Sequence, residues 1–216
     1  MLVADAFPKL DRIIGRRFSD LFSEDRLDQM MVVAKGRAGK LLEMLLGLPP
    51  GIRLTDFEDG ELKTNKSRAD GTPLETMFIS QISTRVDSLL RAEPFDHSWV
   101  YEKIRRIVYL PVVKVGAPAE WYFKGYYDVR VEPGTALFLQ LKNDYASICE
   151  QMRQHVDSGD GMLHTSSGKY LQIRTKDAKP YHPIYSDLCQ RNISNKNFAF
   201  YFRKQFMLDV QEGLIP

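Results

Sequence analysis

Between Asp56 and Glu61 the chain sets four acids into six positions, Asp56, Glu58, Asp59 and Glu61, and Lys63 follows two residues later. In a strand, Glu61 and Lys63 point to one face and Leu62 to the other. Asp59-Gly60 is a turn signal, so residues 51–65 are expected to form a tight β-hairpin with Asp56 across the turn. Two carboxylates and one ammonium would then converge. A hard cation such as Mg²⁺ takes oxygen ligands and keeps several waters, so two carboxylates plus a phosphate oxygen suit it. Lys63 could polarise a water or steady charge on a phosphate. On these residues alone two readings stand, a solvated acidic turn and a metal site for phosphoryl chemistry. Glu58 and Asp59 are expected to be solvated turn residues.

A third carboxylate, Glu43, lies in a helical stretch with Gly36, Gly39 and Gly47 near the same face. A glycine inside a helix costs about 1 kcal/mol against alanine, which suggests close backbone approach on that face. Alternatively the glycines mark helix ends and Glu43 is a surface residue. No spacing of His97, His155, His164 and His182 suits a metal, and each reads as a surface or packing histidine. Arg105-Arg106 fits a solvated edge or a phosphate contact.

The elements that must position these groups are legible in outline. The N-terminus reads as an amphipathic helix. Residues 23–48 read as two helices with a break near Lys35-Gly36, the first capped by Ser23 and the second stopping before Pro49-Pro50. Strands are expected in 72–82, 107–115 and 168–176, and a strand running into a last helix in 197–210. Apolar residues at helical spacing predict a long helix over 135–156. Helices mixed with strands indicate an α/β or α+β core.

Composition bounds the class. The 216 residues are 44% hydrophobic and 27% charged, ordinary for a soluble globular protein, with a net charge of +2. Residues 161–216 carry eight Lys and Arg against four Asp and Glu. Cys149 and Cys189 make no disulfide framework, so a reducing, cytoplasmic setting is the simpler reading. No apolar run reaches the length of a membrane span, and no signal-peptide pattern opens the chain.

The stretches "KGRAGKLLEMLLGL", "DFEDGELKT" and "DGTPLETMFIS", in that order, resemble the core of the MutH-type DNA endonucleases, which include related GATC-cutting restriction enzymes. "YEKIRRIVYLPV", "GKYLQIRTK" and "FAFYFRKQF" are similar to later motifs of that family, so the resemblance runs from Lys35 to Phe206. The resemblance implies a single α/β domain over 1–216 with a restriction-endonuclease-like PD-(D/E)xK core. A mixed central sheet would sit in two lobes, about 1–115 and 116–216, around a DNA-binding cleft. It implies Asp56, Glu61 and Glu43 as metal-ligating carboxylates, Lys63 as the catalytic lysine and Mg²⁺ as cofactor. Lys35, Lys103, Arg174, Lys176 and Tyr201 would face DNA, with Tyr201 beside the target adenine.

The expected function is Mg²⁺-dependent cleavage of double-stranded DNA at a GATC-like palindrome. The first reading is a restriction enzyme, with a homodimer on DNA among its expected partners. A repair nickase with mismatch-repair partner proteins, and an inactive DNA-binding module, are the alternatives. The chain departs from the family in a shorter Asp56–Glu61 interval, in Glu102 where the family has histidine, in an aromatic-rich 116–132 and in 180–197. On the predicted strand, Tyr170, Gln172, Arg174 and Lys176 would share the DNA face, opposite Leu171, Ile173 and Thr175.

Overall fold

The computed structural model describes residues 1–32, 37–49, 54–158 and 160–215, with the side chains of 29–32 and 37 excepted. Lys35 and Gly36 lie outside the described residues. The helices are α1 (Val3–Asp11), α2 (Phe18–Leu21), α3 (Glu24–Val32), α4 (Arg37–Leu46), α5 (Val86–Leu90), α6 (Trp99–Ile104), α7 (Ala136–Asp157) and α8 (Lys204–Gln211). The strands are β1 (Glu61–Ser67), β2 (Met77–Gln81), β3 (Arg106–Val113), β4 (Tyr122–Phe123), β5 (Tyr127–Arg130), β6 (Ser166–Ser167), β7 (Leu171–Thr175), β8 (Ile184–Ser186), β9 (Arg191–Ser194) and β10 (Phe198–Phe202). The architecture is α/β. The chain folds into two compact units, each discontinuous in sequence: Met1–Glu75 with Lys103–Arg130 and Leu208–Pro216, and Thr76–Glu102 with Val131–Met207.

The first unit is built on a mixed sheet. β1 runs parallel to β3, with Glu61 opposite Ile107 and Ser67 opposite Val113. β3 also pairs antiparallel with β4 and β5. From Ile107 to Val113 every residue of β3 is buried, as befits a central strand covered on both faces. α1 buries Val3, Ala6 and Leu10, and α4 buries Ala38, Leu41, Leu42 and Leu46. These residues share one core with Phe57, Leu62, Val108, Leu110 and Val112. Of the aromatics between Trp121 and Tyr127, Phe123 is buried in this core and the rest are half-buried cover, as expected.

Among the described residues the expected hairpin does not form. Residues 54–59 make a series of bends, and the strand partner of Glu61 is Ile107, far along the chain. Residues 51–53, its expected first arm, lie outside the described residues. The turn itself is present, with the Phe57 N–H donating to the Gly60 carbonyl at 2.9 Å. The glycines of α4 divide between the two readings. Gly47 ends the helix in the left-handed region (φ +73°), and Gly39 faces β1, where an added Cβ would meet Thr64 Oγ1 at 3.6 Å.

The second unit holds an antiparallel sheet in the order β2-β10-β7-β6. β10 is buried along its whole length. α7 starts at Thr135, whose hydroxyl accepts from the Phe138 N–H, and buries Leu137, Phe138, Leu141, Tyr145, Ile148, Met152 and Val156 at spacings of three and four. β8 and β9 form a separate hairpin.

Candidate active site

β1 places Glu61, Lys63 and Asn65 on one face and turns Leu62 into the core, the alternation a half-buried strand requires. Glu61 is almost wholly buried, 3% exposed. Burying a carboxylate demands partners, and two cations supply them. Lys63 Nζ lies 2.5 Å from Glu61 Oε1, and Lys103 Nζ lies 2.9 Å from the same oxygen. Lys103 stands in the last turn of α6 and also donates to the Leu54 carbonyl at 2.6 Å. Glu61 Oε2 is buried and has no hydrogen-bond partner among the described residues.

Asp56 sits in the bends before β1, and its Oδ2 accepts the Leu62 N–H at 2.9 Å. Burial pushes its carboxyl above the ordinary range, and the Glu61 charge pushes it further, with the Leu62 N–H and Lys63 opposing. Glu43, on α4, is half-buried. Burial raises its carboxyl first, then the Asp56 charge, with Lys40 opposing. The fold therefore brings Glu43, Asp56, Glu61, Lys63 and Lys103 into one electrostatic cluster from three separate segments. Neighbouring carboxylate charges that raise Glu43 and Asp56 mark a place where a cation would be welcome.

The donor set fits a hard cation in part. All the offered atoms are carboxylate oxygens, and the orphaned Glu61 Oε2 is an acceptor without a donor. Among the described residues no group of three or more His, Cys, Asp or Glu is arranged to hold a metal ion by itself. Oxygens from water or a phosphate would have to complete such a site.

Glu58 is exposed, as the sequence suggests, but Asp59 is not a solvated turn residue. Asp59 Oδ1 accepts the Val3 N–H at 2.7 Å at the start of α1, and Asp59 Oδ2 binds Arg106 Nη1. Arg106 in turn grips Asp128 on β5 through Nε and Nη2, both at 2.9 Å. The Met1 ammonium reaches Glu58 Oε1 at 2.5 Å. Gly60 fits against this clamp, where an added Cβ would lie 2.9 Å from Val3 Cγ2 and 3.2 Å from the Arg106 carbonyl oxygen. So Arg106, neither a solvated edge nor an open phosphate contact, fixes the loop that carries both Asp56 and Glu61. Its partners come from a loop and a neighbouring strand, and only the sheet register brings them together.

In the second unit, β7 and β10 lie side by side with Gln172 opposite Tyr201. Arg174 stacks its guanidinium over the Tyr201 ring, 4.4 Å from the centroid, and donates to Thr76 Oγ1 at 2.9 Å. Phe78 meets Tyr201 edge to face at 5.7 Å, and Lys176 Nζ lies 5.2 Å over Phe78. Burial raises the Tyr201 hydroxyl, with Arg174 opposing. Leu171 and Ile173 are buried and Arg174 and Lys176 exposed, as expected, but Tyr170 is not on the exposed face. It is buried against Phe206 of α8, because the sheet begins only at Leu171. Thr175 is likewise exposed, where β7 reaches its end. A further residue that the sequence did not single out starts this strand. Asp144 of α7 accepts the N–H groups of Lys169, Tyr170 and Leu171 at 2.9, 2.6 and 2.9 Å. Gly168 leaves room for it, since a Cβ there would lie 2.4 Å from the Asp144 carboxyl carbon.

With this geometry in place, comparison with known proteins is informative. Over 228 aligned positions the chain is 27% identical to the DNA mismatch repair protein MutH of Vibrio vulnificus, covering 97% of this chain and 92% of that protein. The chain is similar to this MutH protein over nearly its whole length. The MutH protein of Pasteurella multocida is 27% identical over 199 positions, 84% of this chain and 81% of its own length. The Buchnera aphidicola MutH protein is 34% identical over a shorter stretch of 87 positions, 38% of this chain and 39% of that protein. No protein-family model matches the chain. The motifs from "LLEMLLGL" to "FYFRKQF" fall within the near-complete coverage by the Vibrio vulnificus protein.

Proposed function

We propose that this MutH-type chain is a DNA endonuclease that nicks one strand at a GATC-like site in mismatch repair. The observation that carries the reading is the cluster of Glu43, Asp56 and Glu61 with Lys63 and Lys103, held on a mixed sheet. The relatives are named for mismatch repair, which puts the nickase ahead of the restriction enzyme. In this reading the first unit is a restriction-endonuclease-like nuclease core.

Asp56 and Glu61 would hold Mg²⁺, with Glu43 beside them. A bound Mg²⁺ supplies Lewis-acid polarisation of the scissile phosphate and a lowered pKa for water. The protein's own groups do the rest. The Leu62 N–H fixes the Asp56 carboxylate, and Lys103 holds Glu61 through Oε1. Lys63 is a compact charge that can move from Glu61 to a phosphate oxygen and stabilise the charge that develops there. Lys63 and Lys103 also offset the charge of the buried Glu61. Arg174 is shaped for bidentate contact with guanine, worth about 1–3 kcal/mol of discrimination. Tyr201 would read the adenine and sense its methylation. Lys35 would meet DNA from outside the described residues.

The test is a plasmid assay on unmethylated, hemimethylated and fully methylated GATC sites with Mg²⁺, with and without mismatch-repair partner proteins. Open circles from unmethylated and hemimethylated plasmid, increased by the partners, support the nickase. Linear product without partners, and a dimer on DNA, would favour restriction instead. Absence of any cleavage in all arms would leave the DNA-binding module.

A further inference from the structure

The surface that follows β7 is a second candidate for DNA contact. It overlaps 180–197, where this sequence departs from the family pattern. The inference rests on the DNA reading above, because the partner it names is the same duplex.

The loop after Lys176 is tied down by one carboxylate. Asp177 accepts the N–H groups of Ala178, His182 and Asn197 at 2.9, 2.7 and 2.8 Å, and lies 2.8 Å from His182 Nδ1. The Lys176 N–H donates to the Asn197 carbonyl at 2.8 Å, which carries the β7–β10 ladder one step past the strands. Across this step the Lys196 backbone is held on both sides by Ser194 Oγ, at 2.6 and 3.1 Å. Lys196 Nζ then lies 4.6 Å over the Tyr181 ring. The fixed backbone presents Lys176, Lys179, Lys196, Tyr181 and His182 to solvent, with the Tyr181 and His182 side chains well exposed.

The charge of this surface is one-sided. Of the two acids between Arg174 and Asn197, Asp177 is consumed by its four hydrogen bonds, leaving Asp187. Arg191 is turned away, donating to the carbonyls of Gly161 and Val156. Lysines with an aromatic ring between them, on a backbone that needs no ordering, suit the phosphates of a nucleic-acid strand. The surface also continues from Arg174 and Lys176, the residues assigned to the recognised bases.

We propose that loop 177–183 and the Lys196 turn contact the phosphates of duplex DNA outside the recognised sequence. The contact strengthens binding without reading bases. Each lysine neutralising one phosphate lowers the slope of log K against log salt by about 0.9, or about fivefold in affinity near 0.15 M salt.

The experiment measures binding of wild type, Lys179→Ala, Lys196→Ala and the double variant to two duplexes. One is just long enough to cover a GATC site, and the other carries about ten further base pairs on each side. Binding is read in Ca²⁺ as a function of salt, with melting temperatures recorded to confirm folding. The expected result is tighter wild-type binding to the long duplex, and a loss of about fivefold per lysine there with a shallower salt slope. The short duplex should be unaffected. Equal losses on both duplexes, or no loss on the long one, overturn the flanking contact while wild-type binding leaves the nuclease reading standing. Wild type that binds neither duplex overturns the DNA reading and this surface with it.

Discussion

Replacing Arg106 with alanine is expected to damage the candidate site without touching any member of it. Arg106 makes two hydrogen bonds to Asp128 at 2.9 Å and a short one to Asp59, and its side chain is 15% exposed. Removing one partner of a buried ion pair costs about 3–5 kcal/mol, because the other charge is left alone. Asp59 and Asp128 are 31% and 21% exposed, so water recovers part of that cost and about 2–3 kcal/mol is the fair expectation. For a chain of this length the melting temperature should fall by about 5–10 °C. The same change frees the loop that spaces Asp56 from Glu61. A misplacement of about 1 Å at reacting groups costs about a hundredfold in rate, so cleavage should fall by that order at temperatures where the variant is folded. Calorimetry and a single-turnover cleavage assay on each variant read the two effects separately. In the Arg106→Ala background, Asp59→Asn should add little, since the pair is already broken. A variant that melts with the wild type, or that cuts DNA at the wild-type rate, would refute the clamp.

Three further expectations follow from the site and its scaffold. Asp56→Asn should raise the melting temperature of the metal-free protein at neutral pH, because the folded-state pKa of Asp56 is raised and its ionised form costs stability there. That gain should shrink as pH falls through the raised pKa, where the wild-type carboxyl takes up its proton; a loss of stability at pH 7 in thermal scans would contradict it. Gly39→Ala should stabilise the protein by about 0.5–1 kcal/mol in urea titration, since a Cβ would meet Thr64 Oγ1 at an ordinary 3.6 Å and alanine favours the helix; destabilisation would mean that α4 lies closer to β1 than described. Lys63→Ala should abolish cleavage while gel-shift binding of DNA persists, and Lys63→Arg should not restore it, because a planar guanidinium is a poor substitute for a compact ammonium beside a buried carboxylate. Cleavage near the wild-type rate by the arginine variant would reduce Lys63 to a general electrostatic role.

What the sequence made legible was what depends on local periodicity. α7 follows from apolar residues at spacings of three and four, and the shared face of Glu61 and Lys63 follows from the period of a strand. The family motifs then joined Glu43 and Lys103 to that face, although no local pattern requires it. The misreadings have one physical source, which is pairing at long range. Asp59-Gly60 looked like a hairpin tip, but Glu61 pairs in parallel with Ile107, so the loop answers to Arg106 and not to water. Tyr170 looked like one more residue of an alternating strand, yet the Asp144 carboxylate turns the chain there and Phe206 covers the ring. Nothing in the sequence singles out Asp144 or Asp128, because their partners lie on other segments.

The central claim is that Asp56 and Glu61 belong to a metal-dependent DNA-cutting centre, and one comparison tests it most directly. Purified wild type, Asp56→Ala and Glu61→Ala are incubated with unmethylated GATC plasmid and Mg²⁺, and nicking is measured beside gel-shift binding of the same DNA. Wild type should nick only when Mg²⁺ is present. Both variants should bind the DNA with nearly wild-type affinity, since lysine and arginine contacts to phosphate supply most of it, and should leave the plasmid supercoiled. Nicking by either variant at the wild-type rate, or by wild type with the metal removed by chelation, would contradict the account.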